Sequence, residues 1–250
     1  MSNILLTADE VTKLIPKINV IEELRNLFTE LGQDKAIQPP QTGQPLLLCD
    51  AGQLTIERTA ATTALAIDYL IKESPQKAAI IGSGAVAMAH WHYIKGLRSW
   101  QHISIYSPAL ENDEDKRKAW EIICPHIEFC ESAEQAAIEA DLVMLCTSSR
   151  TPVIDGSAFE QNAVVTSIST NVAQAHEISP KFLNHMQVYC YYKETTPASA
   201  WEMVLASQDH GWSSKKIIGD LPDLANGSCT LPDTERPTFF RSIGLGLEDI

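Results

Sequence analysis

The chain has 250 residues, of which 44% are hydrophobic and 20% charged, and its formal net charge is −13. This length allows a substantial core in one or two domains, and the acidic balance argues against nucleic acid as a partner, because phosphate binding needs a basic face. The six cysteines form no C-x-x-C pair, and neither a signal-peptide pattern nor an apolar run of membrane-spanning length occurs. We therefore expect free thiols, no metal site, no membrane contact and a cytoplasmic location.

The N-terminal part predicts two helices, a short strand and a long helix. Thr7 to Glu10 has the cap-then-acid order of a helix start, and residues 21–31 have the apolar spacing of an amphipathic helix. Residues 38–45 are rich in proline and glycine, which excludes regular structure there. A short strand is predicted at 46–49, and a long alanine-rich helix from Thr55 to about Lys72.

Short apolar strands then alternate with helical segments. The predicted strands lie at 78–81, 103–106, 127–129, 142–146, 163–167 and 188–191. The predicted helices lie at 86–97, 113–123 and 132–140, the last opened by a capping box of Ser132 and Gln135. Apolar strands in this alternation predict an α/β fold with a parallel, doubly wound sheet that is buried on both faces. From about Lys215 onward the turn-rich composition predicts irregular structure.

A glycine-rich loop between a predicted strand and a predicted helix carries most of the functional information. It reads G-x-G-x-x-A, with Ala87 in the third small position, and its central residues are Gly82, Ser83, Gly84, Ala85 and Val86. In a dinucleotide site the first glycine allows the tight turn, and the second lets the backbone approach the pyrophosphate. The helix N-terminus then supplies partial positive charge. A plain glycine turn is the alternative, but the strand before and the helix after the loop favour dinucleotide binding.

The end of the second strand bears on which dinucleotide is bound. NAD-preferring sites usually place Asp or Glu there, about 20 residues past the glycines, to bind the ribose 2′-hydroxyl. Here the strand ends at Ser107, which carries no charge and is compatible with a 2′-phosphate. Lys116, Arg117 or Lys118 could approach that phosphate, although a solvated helix face is their more ordinary role. We expect NADP(H) as the preferred cofactor, with NAD(H) as the alternative.

Arg58 stands near the start of an otherwise apolar helical segment, next to Thr59. One interpretation is an exposed arginine with a helix-favouring run behind it. The other is an arginine at a domain junction, where its guanidinium binds a substrate carboxylate through two hydrogen bonds. The residues themselves leave both interpretations open.

Several motifs occur in one order along the chain. Residues 54–61 read L-T-x-x-R-T-A-A and precede the glycine loop, residues 140–149 run from A-D-L-V to T-S-S, and residues 239–249 read F-F-R-S-I-G-L-G-L-E-D. Together with the opening at residues 6–11, this order resembles the ornithine cyclodeaminase/mu-crystallin family of NAD(P)-dependent proteins. Because the similarity is spread over nearly the whole chain, it is far more specific than the glycine loop alone.

The resemblance implies two domains and usually a homodimer. A Rossmann-like doubly wound nucleotide domain would span residues 58–233, and a smaller α+β substrate and dimerisation domain would be built from residues 1–57 and 234–250. By position, Arg58 matches the carboxylate-binding arginine of the family. The segments that contact the cofactor are matched by Thr59, Gly82, Ser83, Gly84, Ala85, Val86, Thr147, Ser148 and Ser242.

Two departures from the family pattern matter. Asn171 falls at or beside an aspartate of ornithine cyclodeaminases and related alanine dehydrogenases, and an amide cannot accept a proton as a carboxylate does. Asn171 is thus a candidate substrate-binding residue, with an ordinary loop residue as the alternative. The chain also lacks some tens of residues that the family has near residues 40–41. The alternatives are a natural deletion and a stretch that the printed sequence omits. We expect the second, because the junction joins two good matches.

The activity expected from the resemblance is NAD(P)H-dependent reduction of a cyclic ketimine carboxylate, either Δ1-pyrroline-2-carboxylate to L-proline or the piperideine analogue. Alternatives are ornithine cyclodeaminase or alanine dehydrogenase activity and, in another class, a non-catalytic NADP-binding protein. No catalytic proton donor can be named. His90 and His92 are expected to be packing or surface residues. His176 and Glu177 are not expected to contact the site.

Overall fold

The computed structural model describes residues 4–36, 47–49, 51–169 and 173–244. In this part of the chain the strands are β1 (Ile4–Leu6), β2 (Leu47–Cys49), β3 (Lys77–Ile81), β4 (His102–Tyr106), β5 (Ile127–Phe129), β6 (Leu142–Leu145), β7 (Val164–Ser167), β8 (Gln187–Cys190), β9 (Ile217–Asp220) and β10 (Thr238–Arg241). The α-helices are α1 (Ala8–Leu14), α2 (Val20–Gly32), α3 (Ala51–Leu70), α4 (Ala85–Ile94), α5 (Glu114–Ile123), α6 (Ala133–Ala137), α7 (Thr196–Ser199), α8 (Trp201–Asp209) and α9 (Leu221–Asn226).

The main sheet has eight parallel strands in the order β5-β4-β3-β6-β7-β10-β8-β9. Neighbouring residues of one strand enter different hydrophobic clusters: Leu142 and Met144 pack into one, and Val143 and Leu145 into the other. Both faces of the sheet are therefore buried at its centre, which explains why a strand such as β6 shows no polar alternation. The predicted α/β class with a doubly wound parallel sheet is confirmed.

A second, two-stranded parallel sheet pairs β1 with β2. Helix α1 follows β1, and the carboxylate of Glu10 accepts hydrogen bonds from the backbone N–H and the hydroxyl of Thr7 at 2.9 and 2.8 Å. Helix α2 packs against α3 and α9. The predicted boundary between residues 57 and 58 lies inside α3, and the division into two domains stays a prediction.

Two sequence predictions need correction. The region from Lys215 onward is not irregular, since it contains β9, α9 and β10. Helix α9 has the local signals that the turn-rich composition masked: an Asp220 cap that accepts from the Asp223 N–H at 3.1 Å, and Gly227 at φ 64° as its stop. The Ser132 cap accepts from the Gln135 N–H as expected, but the Gln135 side chain accepts from the Glu131 N–H rather than closing a capping box.

Helix α3 begins four residues earlier than the predicted Thr55, at Ala51, so Arg58 lies in its second turn. Its second half is buried almost completely, from Ala60 to Ile67. Among the helices that the structure describes, none combines the length and apolar character needed to cross a bilayer.

Candidate cofactor-binding site

The turn after β3 requires glycine for a reason internal to the protein. Gly82 has a φ of 117°, which L side chains rarely adopt. A Cβ at this position would overlap the carbonyl oxygen of Cys146 and lie 2.8 Å from its carbonyl carbon. The Gly82 N–H donates to the Tyr106 carbonyl at 2.8 Å. The first glycine of the motif therefore lets β3, β4 and the end of β6 meet closely.

Gly84 serves a different purpose, because its backbone is ordinary. It is the N-cap of α4, with φ −79° and ψ −178°, and among the described residues no atom outside its own chain neighbours lies within 4 Å of the place a Cβ would occupy. The first N–H groups of a helix have no partner within it, and the helix dipole favours an anion there. The space beside Gly84 thus suits a phosphate group, while Ala87 is fully buried behind the loop.

A cleft of about 780 Å³ opens at the carboxyl edge of the sheet, in front of this loop. Eight of the predicted cofactor-contacting residues line it: Gly82, Ser83, Gly84, Ala85, Val86, Ser107, Thr147 and Ser148. Ser149 and Ile168 complete the wall beyond β6 and β7. Ligands of open α/β sheets bind at this edge, where the strand order reverses, and here the reversal lies between β3 and β6.

One end of the cleft is formed by serine hydroxyls and a lysine. The Ser83 hydroxyl donates to Ser107 Oγ at 3.0 Å, and the Trp120 indole N–H fixes the loop by donating to the Ser83 carbonyl at 3.2 Å. Lys116 lines the same end, and its Nζ is 3.5 Å from Asp113 Oδ2. Arg117 is engaged elsewhere, since its Nε donates to the Leu110 carbonyl at 2.6 Å.

Among the predicted residues that the structure describes, three do not line this cleft. Thr59 is half-buried on α3, and the buried Ser242 donates its N–H to the Ser167 carbonyl at 3.0 Å. Arg58 lines a neighbouring cavity of about 980 Å³ beside α2, and its guanidinium lies against Gly244, just after β10. Asn171 lies outside the described residues. The structure thus brings Arg58 close to the segment that carries Ser242, at the same edge of the sheet as the cleft.

Sequence reasoning gave too little weight to Glu177. Its side chain is fully buried, and its carboxylate accepts four hydrogen bonds, from the Thr147 N–H and hydroxyl, the Ser167 hydroxyl and the Ser169 N–H, at 2.7 to 2.9 Å. Burial raises the pKa of Glu177, and these hydrogen bonds oppose that rise. In the sequence Glu177 is an isolated acid in the loop after β7, and nothing near it in the chain indicates which residues it binds.

The two histidines of α4 do not enter the cleft. His90 is fully buried, and its Nδ1 lies 2.7 Å from the Val86 carbonyl oxygen. Burial lowers the pKa of His90 to about 4, so the ring is neutral at ordinary pH. It packs, as expected. The cysteines at 124, 130, 146, 190 and 229 are free thiols. Within the described ranges no group of three or more His, Cys, Asp or Glu side chains could hold a metal ion.

The parallel sheet, the glycine turn and the helix N-terminus at a cleft define a dinucleotide-binding protein of the Rossmann type. Comparison with known proteins then gives its family. Residues 35–250 match the model of the ornithine cyclodeaminase/mu-crystallin family, and the chain belongs to this family. The resemblance inferred from the sequence motifs is confirmed.

Two relatives and one solved structure illustrate the range of similarity. An NAD(P)H-dependent anabolic L-arginine dehydrogenase of Pseudomonas aeruginosa is 41% identical, with 96% of this chain and 92% of the relative covered. The ketimine reductase mu-crystallin of Macropus fuliginosus is 23% identical over 84% of this chain, which spans only 63% of that relative. The Δ(1)-pyrroline-2-carboxylate reductase of Thermococcus litoralis, in complex with NADH and L-proline, has a TM-score of 0.89 at 20% identity, with 98% and 94% covered.

The alignment with the arginine dehydrogenase spans 292 residues, more than the 250 of this chain. That relative therefore holds residues without a counterpart here, in agreement with the expectation that the chain lacks an internal segment. The position of that segment near residues 40–41 lies outside the described residues and stays a prediction.

Proposed function

We propose that this chain reduces the imine carbon of an α-imino acid with NAD(P)H, and that Arg58 binds the substrate carboxylate. The observation that carries the proposal is the cleft at the carboxyl edge, where Gly84 leaves room for a pyrophosphate at the N-terminus of α4. The residues present fit a dinucleotide, because Gly84 has no side chain that would fill the space where a pyrophosphate meets the helix N-terminus.

The enzyme class and the cofactor class are the confirmed part of this conclusion. The relatives include an NAD(P)H-dependent dehydrogenase of an amino acid and reductases of cyclic imines. They confirm the sequence predictions of an NAD(P)-dependent oxidoreductase acting at C=N or CH–NH and of a nicotinamide cofactor.

The chain itself contributes orientation and electrostatics. When bound, NAD(P)H supplies the hydride, and chemistry at the reacting carbon belongs largely to that cofactor. Arg58 fixes the neighbouring carboxylate through a bidentate pair, and this holds the imine carbon in one orientation. A protonated imine is the better electrophile and accepts a hydride more readily than the neutral imine. The position of Arg58 against Gly244, at the same edge as the cleft, supports this assignment.

Two kinds of imine are candidate substrates for this site. Identity of 41% over nearly the whole chain favours an open-chain imine with a basic side chain, like the one that an anabolic arginine dehydrogenase reduces. The cyclic ketimine expected from the sequence, Δ1-pyrroline-2-carboxylate or its piperideine analogue, has support from more distant relatives at 23% identity. We rank the open-chain imine first because its support comes from the much higher identity.

A preference for NADP(H) over NAD(H) is the third part of the proposal. Ser107 and Lys116 line the end of the cleft that follows β4, and no carboxylate is among the residues of the described chain that line it. A serine hydroxyl and an ammonium suit a 2′-phosphate, whereas the acid that binds a free 2′-hydroxyl in NAD sites is missing there. A homodimer and a cytoplasmic location, expected from the resemblance and the composition, complete the proposal.

One assay separates the candidate activities. Oxidation of NADPH by the purified protein is followed with the 2-oxo acid of arginine plus ammonia, with Δ1-pyrroline-2-carboxylate, with pyruvate plus ammonia, and with buffer alone. Turnover with the first mixture supports the open-chain imine as the substrate. Turnover only with Δ1-pyrroline-2-carboxylate supports the cyclic ketimine instead. Activity confined to pyruvate and ammonia means an alanine dehydrogenase. Tight NADPH binding without any turnover means a non-catalytic NADP-binding protein.

The role of Arg58 is tested by Arg58→Ala. We expect a large rise in KM for the imine with little change in the Kd for NADPH, because Arg58 lies outside the cofactor cleft. Arg236→Ala, which removes the same charge from an exposed position, is the matched control and should leave both constants unchanged. Loss of NADPH binding with intact substrate binding would show that Arg58 has been given the wrong role.

A further inference from the structure

The buried carboxylate of Glu177 connects two loops that follow different strands. Thr147, which follows β6, donates both its N–H and its hydroxyl to Oε1 at 2.7 Å. Ser167, the last residue of β7, and Ser169 just beyond it donate to Oε2 at 2.7 and 2.9 Å. Thr147 and Ile168 line the cofactor cleft. One side chain therefore sets the spacing of two walls of the cleft.

The connection reaches further along both loops. Thr147 Oγ1 accepts from the Ser149 N–H at 3.1 Å, so Ser149, another residue of the cleft wall, is fixed through Thr147. The backbone of Glu177 is itself held in place, because its carbonyl accepts from the Val153 N–H at 2.9 Å and the next residue, Ile178, forms a β-bridge with Ile154. Because the backbone of Glu177 is held in place, its carboxylate has a fixed position and can hold the two loops that it binds.

The chemistry of the donors selects a carboxylate at this position. Two backbone N–H groups and two hydroxyls converge on the side chain, and an ionised carboxylate is acceptor-only with room for all four. A glutamine would keep one acceptor oxygen and turn an NH₂ group toward an N–H donor. Burying a charge without a cation is costly, and no ion pair with Glu177 occurs in the described residues. The nearby buried Arg241 is matched by Glu202, with 2.8 Å between Nε and Oε1.

We propose that Glu177 is a positioning residue for the cofactor, which acts by holding the loops after β6 and β7 in the conformation that binds NAD(P)H. The proposal rests on the proposed cofactor-binding function of the cleft. Glu177 has no contact with solvent and need not touch the cofactor, since its effect passes through Thr147, Ser149 and Ser169.

The test compares Glu177→Gln with a matched buried carboxylate at the opposite edge of the sheet. Asp141 precedes β6, is 7% exposed, and accepts from the Gln76 and Lys77 N–H groups at 2.6 and 3.2 Å. Asp141 also pairs with Lys72, with 2.6 Å between Oδ1 and Nζ. Asp141→Asn thus removes another buried acid that binds backbone N–H groups, far from the cleft. Two quantities are measured in each variant: the Kd for NADPH, and the amide hydrogen exchange of the peptide containing residues 147–149 in the protein without cofactor.

For Glu177→Gln we expect the Kd for NADPH to rise at least about tenfold, the factor that follows from one unsatisfied buried donor, and exchange at 147–149 to accelerate. For Asp141→Asn we expect a Kd within about twofold of the wild type and unchanged exchange at 147–149. The proposal is overturned if Glu177→Gln has a wild-type Kd, even with a lowered Tm, or if Asp141→Asn weakens binding equally.

Two further outcomes of the experiment also decide between the possibilities. If Glu177→Gln does not fold, Ser167→Ala removes a single donor to Oε2, and the same two measurements should change in the same direction by a smaller factor; no change in either refutes the proposal. If the wild-type protein itself fails to bind NADPH, the proposed function fails. The exchange measurement, made without cofactor, still decides whether Glu177 holds the loops.

Discussion

Alanine substitutions at the two glycines of the loop should separate folding from cofactor binding. Gly82→Ala places a side chain at φ 117° and against the Cys146 carbonyl. The backbone conformation costs about 1–3 kcal/mol, and the overlap adds about 1–3 kcal/mol. We expect a Tm lowered by about 2–4 °C for each kcal/mol in a chain of this size.

Gly84→Ala should behave in the opposite way. Its backbone is already extended and open space surrounds it, so the loss of stability should stay within about 1 kcal/mol. The added methyl group, however, stands where the pyrophosphate would approach the helix N-terminus. We expect the Kd for NADPH to rise by about tenfold or more, an effect of about 1.4 kcal/mol.

Thermal unfolding followed by circular dichroism gives the Tm values, and calorimetric titration with NADPH gives the Kd values. The reasoning is refuted if Gly82→Ala unfolds within about 2 °C of the wild type. A Gly84→Ala protein that binds NADPH as tightly as the wild type would equally show that the phosphate does not lie beside this residue.

Two other perturbations follow from the same geometry. Ser107→Asp introduces the missing acid at the end of β4, so steady-state kinetics should show the preference moving from NADPH to NADH; equal use of both cofactors by the wild type would contradict the role of Ser107. His90, with a pKa lowered to about 4 from 6.5, is protonated first in the unfolded state, so stability should be constant above pH 6.5 and fall toward pH 4 by about 3 kcal/mol. Urea unfolding of the wild type and His90→Gln at both ends of this window checks it, and parallel losses in the two proteins would exclude His90 as the cause.

Most of the local structure and one wall of the site could be predicted from the sequence. The glycine loop was readable because small residues recur at fixed spacing: Gly82 in a tight turn, Gly84 beside open space at a helix N-terminus, and Ala87 in a buried packing contact. The strands β3, β6, β7 and β8 were readable because burial on both faces leaves a largely apolar run in the sequence. The start of the helix predicted over 113–123 was also readable locally, because Asp113 is its N-cap and accepts through Oδ1 from the Lys116 N–H at 2.9 Å.

The features that were missed depend on residues far apart in the chain. Glu177 and Thr147 are thirty residues apart, and Trp120 and Ser83 are thirty-seven apart, so no spacing rule connects them. Helix α9 is hard to predict for another reason: proline and glycine usually mark turns, but here Pro222 lies in the first turn of a short helix and Gly227 ends it. Likewise, nothing local to Phe239 and Phe240 shows that their strand enters the middle of the sheet.

The central place of β10 has a consequence for how the protein is made. This strand comes after all its neighbours in the chain, yet it pairs with β7 on one side and β8 on the other. Until residues 238–241 are synthesised, the five strands β5-β4-β3-β6-β7 are not joined to the pair β8-β9. The edges of β7 and β8 that β10 covers then stay unpaired, and such edges associate with other chains. A premature stop upstream of Thr238 would therefore not trim a tail. It would remove the strand that joins the two parts of the sheet.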